Sequence, residues 1–83
     1  PNPFNPTTEI EFSIPQACQV SLRVYNVLGQ RVNTLAEREF PAGPHRVTWN
    51  GTDQRGNEVA TGVYLYRLEA GDYTEAKKMM LIK

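Results

Sequence analysis

Glu9-Ile10-Glu11-Phe12-Ser13-Ile14 alternates polar and apolar side chains without a break, which turns Ile10, Phe12 and Ile14 to one face of an extended strand. Pro15 closes it. Val20, Leu22 and Val24 repeat the same period between Gln19, Ser21 and Arg23, predicting a second half-buried strand up to about Asn26 with a turn at Leu28-Gly29-Gln30. From Gln30 to Phe40 the period slips, because Val32 and Leu35 stand three apart. That spacing suits a short helical turn or a bulged strand, and the bulged strand is the reading adopted. Pro41-Ala42-Gly43-Pro44 breaks the chain, and His45 to Trp49 resumes strand spacing with Val47 and Trp49 facing inward. After the turn dipeptide Asn50-Gly51 and a polar loop over Asp53 to Asn57, Gly62 to Leu68 puts Tyr64, Tyr66 and Leu68 on one face. Gly71-Asp72 then turns the chain into a last strand, Tyr73 to Ile82, antiparallel to the one before.

Short strands at intervals of roughly 8 to 12 residues, with no helical period, predict an all-β antiparallel sandwich of about seven strands. The chain's 83 residues suffice for one domain with a thin core. Three prolines within Pro1-Asn2-Pro3-Phe4-Asn5-Pro6 favour an extended, donor-poor backbone, so residues 1–7 are read as a linker junction and 8–83 as the domain. A first residue that is not Met suggests a piece of a longer precursor with any export signal upstream.

Nine basic and nine acidic residues cancel, which removes the long-range attraction a nucleic-acid binder exploits, and no nucleic-acid partner is expected. The longest apolar run, Met79-Met80-Leu81-Ile82, is far below the roughly 20 residues of a membrane-spanning helix. Cys18 is the only cysteine, so no disulfide forms within the chain and stability rests on packing.

Four motifs in order along the chain carry a resemblance: Pro1-Asn2-Pro3-Phe4-Asn5-Pro6-Thr7-Thr8, Gly29-Gln30-Arg31-Val32, Gly62-Val63-Tyr64, and Lys77-Lys78-Met79-Met80-Leu81-Ile82-Lys83. Together they resemble the C-terminal sorting domain of type IX secretion, an immunoglobulin-like sandwich of exported bacterial proteins. The resemblance implies a module that directs a covalently linked upstream passenger across the outer membrane. Its implied partners are the outer-membrane secretion machinery and a sortase-like peptidase. It also implies a secreted or cell-surface location reached through the periplasm, and a sorting signal in Lys77, Lys78, Met79, Met80, Leu81, Ile82 and Lys83. Pro1, Asn2, Pro3, Phe4, Gly29, Trp49, Gly62 and Tyr64 are its motif positions. Val47 to Asp53, Gly56-Asn57 and Gly62-Val63-Tyr64 are equally similar to the immunoglobulin-like domain of the flagellar hook-capping protein, which implies a scaffold role. Antibody-type domains match poorly, because their paired cysteines are missing.

The residue types that carry chemistry are sparse. Cys18 and His45 form a nucleophile–base pair only if the fold joins them, and one Cys with one His makes a poor zinc site. Glu9 and Glu11, about 6.6 Å apart along a strand, have a spacing that glycosidase carboxylates use, but alternation sends them to solvent. Asp53 to Glu58 lacks the alternating carboxylates of a calcium loop, and Arg55 repels a cation there. Asn50-Gly51-Thr52 fits a glycosylation triplet and, more simply, a turn. Tyr25, Trp49, Tyr64, Tyr66 and Tyr73 suggest a sugar-stacking platform, opposed by the inward spacing of Trp49, Tyr64 and Tyr66. The expectation is a non-enzymatic recognition module without cofactor or metal, monomeric in isolation, with a carbohydrate-binding or structural accessory role as the alternative.

Overall fold

The structure, a computed structural model, describes residues 7–82. It contains six strands: β1 (Thr8–Ile14), β2 (Cys18–Asn26), β3 (Arg31–Phe40), β4 (Gly43–Trp49), β5 (Gly62–Ala70) and β6 (Tyr73–Leu81). Each coincides with one of the strands expected from the sequence, β3 with the irregular run read as a bulged strand. The linker expected over residues 1–7 lies, except for Thr7, outside the described residues.

The strands form two antiparallel sheets, β1-β4 and β3-β2-β5-β6. Strict alternation in β1 and β2 produces the inner layer, in which Ile10, Val20, Leu22 and Val24 are fully or almost fully buried. Burying a side chain of this size stabilises by about 1.5–3 kcal/mol. Phe12 meets Phe40 edge to face at 5.4 Å between ring centres, joining the two sheets. The irregular spacing of Val32 and Leu35 resolves as a bulged strand: the β2–β3 register shifts between Leu22 and Arg23 and again between Val24 and Tyr25.

The six strands among the described residues agree with the expected antiparallel sandwich of about seven. Residues 50–61 supply no alternating apolar run, and their backbone is taken up locally. Asp53 accepts the amides of Arg55 and Asn57 on Oδ1, both at 2.9 Å, so only the isolated bridge Thr52–Glu58 forms instead of a ladder. The short sheet consequently covers part of the four-stranded one, and among the described residues β1 keeps an unpaired outer edge.

Candidate interaction site

β6 pairs with β5 along one side and forms the margin of its sheet. Period-two alternation divides the expected sorting segment between two environments. Leu81 is buried and Met79 half-buried, both packed in the core cluster around Trp49. Met80 is 56% and Ile82 69% exposed, and Lys77 and Lys78 are also exposed, on opposite faces of the strand. Leu81 thus belongs to the core, whereas Lys77, Lys78, Met80 and Ile82 are exposed. Lys83 lies outside the described residues, as do Pro1, Asn2, Pro3 and Phe4.

The remaining motif positions are architectural. Trp49 is fully buried, donates Nε1–H to the Thr52 carbonyl at 2.8 Å, and meets Tyr64 edge to face at 5.1 Å. Tyr64 donates its hydroxyl to the Ala60 carbonyl at 2.6 Å. Gly29, at φ +82°, occupies a left-handed turn position that side chains disfavour. Asn26 Oδ1 closes the same turn by accepting the amides of Leu28 and Gln30. Gly62 opens β5.

A second feature was not anticipated from the sequence. Register pairs Tyr73, Glu75 and Lys77 with Ala70, Leu68 and Tyr66, placing them on the inner face of the sheet, yet no strand of the short sheet covers them. The result is a groove of about 590 Å³ between the free edge of β1 and the inner side of β6. Buried Phe12, Ile14 and Leu68 line it, and so do the acidic residues Asp72 and Glu75. Tyr73 donates its hydroxyl to Glu75 at 3.1 Å, and that bond to the carboxylate raises its pKa. Tyr66 is also raised, chiefly by burial and then by the charge of Glu75. The signal available in the sequence was the polar half, Tyr73-x-Glu75-x-Lys77, of a strand whose other inward positions are Met79 and Leu81.

The catalytic and binding candidates are held in structural contacts. Glu9 and Glu11 both engage Arg46 on the neighbouring strand, at 2.9 and 3.3 Å. His45 packs its ring against Phe12 and Phe40, and its Nε2 meets the Pro41 carbonyl at 2.6 Å. Cys18 lines the β1–β6 groove, whereas His45 lines a different one beside Pro44 and Arg46. Asp53 is held below its ordinary pKa, mainly by the Asn57 amide, and serves its own loop. Among the described residues, no three or more His, Cys, Asp or Glu side chains are grouped to hold a metal ion. Of the proposed aromatic platform, Trp49, Tyr64 and Tyr66 are core, and Tyr73 is exposed within the groove.

Residues 4–74 match the family described as the FlgD Ig-like domain. The chain belongs to that family. The match is to the second of the two resemblances read from the sequence, and Lys77 to Lys83 lie beyond the matched segment. A crystal structure of FlgD from P. aeruginosa superimposes with a TM-score of 0.71 at 22% identity, over 90% of this chain and 59% of that one. This likeness shows the immunoglobulin-like fold. No curated protein matches.

Proposed function

We propose that this FlgD-like immunoglobulin domain is a non-catalytic scaffold and recognition module of an exported bacterial protein, serving assembly in the manner of a hook-capping domain. The match over residues 4–74 carries this reading. It is supported by the way the candidate catalytic groups are engaged: Glu9 and Glu11 in a strand-to-strand ion-pair cluster, and His45 in ring packing. Its partners on this reading are protein subunits outside the cytoplasm, and it is joined to a further part of its own polypeptide.

The surface of β6 favours a second reading, that of a sorting and anchoring module that delivers a passenger to the cell surface through outer-membrane machinery. Lys78 and Met80 lie exposed on the outer side of a marginal strand and Ile82 is exposed just beyond its end, which leaves these side chains accessible to a partner.

One pair of measurements separates the two. The chain is mixed with purified hook subunits and sized by chromatography, and it is fused behind an exported fluorescent reporter whose surface delivery is measured with and without Lys78→Glu and Met80→Ser. A hook-cap scaffold co-elutes with the subunits, and its delivery is indifferent to the substitutions. A sorting module elutes alone and loses surface delivery in the double variant. Elution alone together with unchanged delivery defeats both.

A further inference from the structure

Among the described residues the short sheet ends at β1, whose outer edge bears unpaired backbone groups, and directly beside that edge the inner side of β6 is open. An exposed strand edge is a template for another strand, and proteins ordinarily blunt it with proline, a bulge or a covering segment. Among the described residues β1 carries no proline or bulge within Glu9 to Ile14, its charged side chains Glu9 and Glu11 are drawn to Arg46, and its pairing with β4 is regular from Thr8–Trp49 to Ile14–Gly43. By contrast the far sheet's edge at β3 is partly covered: the Gln54 amide donates to the Val32 carbonyl at 3.1 Å, and Asn33 donates its side-chain amide to the Thr52 and Asp53 carbonyls.

We propose that the β1 edge and the groove beside it accept an extended basic-apolar segment of another protein, which adds as the third strand of the β1-β4 sheet. Main-chain hydrogen bonds to alternate residues of β1 supply the pairing, and every second side chain of the incoming strand turns inward over Ile14 and Leu68. The charge of the groove selects the occupant. Asp72 and Glu75 oppose a single ammonium, Lys77, whose nearest approach to Glu75 is a long 3.8 Å, while Glu11 at the rim is already paired with Arg46. A lysine or arginine on the incoming strand completes that balance, whereas an acidic segment is repelled. The inference deepens the recognition reading by giving it a site and a partner chemistry, and it does not depend on which export or assembly machine is served.

The test titrates isotope-labelled 83-residue chain with a short synthetic peptide of alternating valine and threonine carrying a central lysine. NMR then reads shifts and amide exchange. The expected result is saturable binding, shifts confined to β1 and Tyr73 to Lys77, and slowed exchange at alternate amides of Thr8 to Ile14. Methylating every second peptide nitrogen of the probe abolishes binding, and a central glutamate weakens it several-fold. Asp72→Asn combined with Glu75→Gln removes that preference for lysine while the spectrum stays folded. Binding that survives N-methylation, shifts located elsewhere, or no saturable binding overturns the proposal. It is equally overturned if the chain alone forms dimers with β1 amides protected, or if the peptide binds only after residues 1–6 are deleted, since the occupant is then a second copy or the chain itself. A failed titration alongside successful co-elution with hook subunits removes the groove and leaves the scaffold role standing.

Discussion

Trp49 shows how one side chain fixes both the core and a loop. Its ring is fully buried against Tyr64, and its single N–H reaches the Thr52 carbonyl, so the polar end of a large apolar group is satisfied without contact with water. Tyr64 does the same from the other side through the Ala60 carbonyl. The two bonds tether both ends of the segment between β4 and β5. Tyr64→Phe keeps the ring and deletes the hydroxyl, so the expected loss is about 1 kcal/mol in urea-unfolding stability with an unchanged m value. A loss near zero in that measurement would mean that the Ala60 carbonyl finds water instead.

At the scale of the element, the loop between β4 and β5 is built around Asp53. Its carboxylate accepts two amides, its backbone exchanges bonds with Asn57 and Gly56, and the following residue bonds to β3. Hydrogen bonds to the charged form lower its pKa from 3.8, so the unfolded chain takes up this proton at higher pH than the folded one. The resulting stabilisation is present above the unfolded value and is lost as pH falls through the lower folded value. Asp53→Asn should therefore be less stable than the parent at neutral pH, with the gap closing below about pH 4 as the parent loses its advantage. Urea unfolding of both proteins across that range checks it. A constant gap would place the effect in side-chain shape, not charge.

For the whole molecule, two sheets of unequal width share one thin core. A domain of this size has roughly 5–15 kcal/mol of stability, so a single core cavity consumes a large share of it. Leu22 is fully buried in the central strand β2, and Leu22→Ala is expected to cost about 2–5 kcal/mol and lower Tm by roughly 10–30 °C. Leu28→Ala, in a turn with its side chain 80% exposed, should stay within about 0.5 kcal/mol of the parent. Circular dichroism melts of the two variants make the comparison, and equal melting temperatures would contradict the assignment of the core.

Much of the architecture was legible locally. Alternation of side chains is a property of the extended backbone itself, so Ile10, Phe12 and Ile14, or Tyr64, Tyr66 and Leu68, declare their shared face before any partner is known. The placement of turns at Gly29 and Gly71 follows equally from conformations that side chains disfavour, since both have positive φ. Beyond the hairpin that joins β5 to β6, sequence could not decide which strands pair, because such pairing joins residues far apart in the chain. It therefore missed that β1 has one neighbour among the described residues and that Tyr73, Glu75 and Lys77 face inward over a groove. The same limit applied to the C-terminal run: its alternation was visible, but only the packing of Leu81 against the Trp49 cluster set which half is core and which half is presented. Local chemistry sets the shape of each strand, and the tertiary arrangement alone determines which edges and faces remain open to a partner.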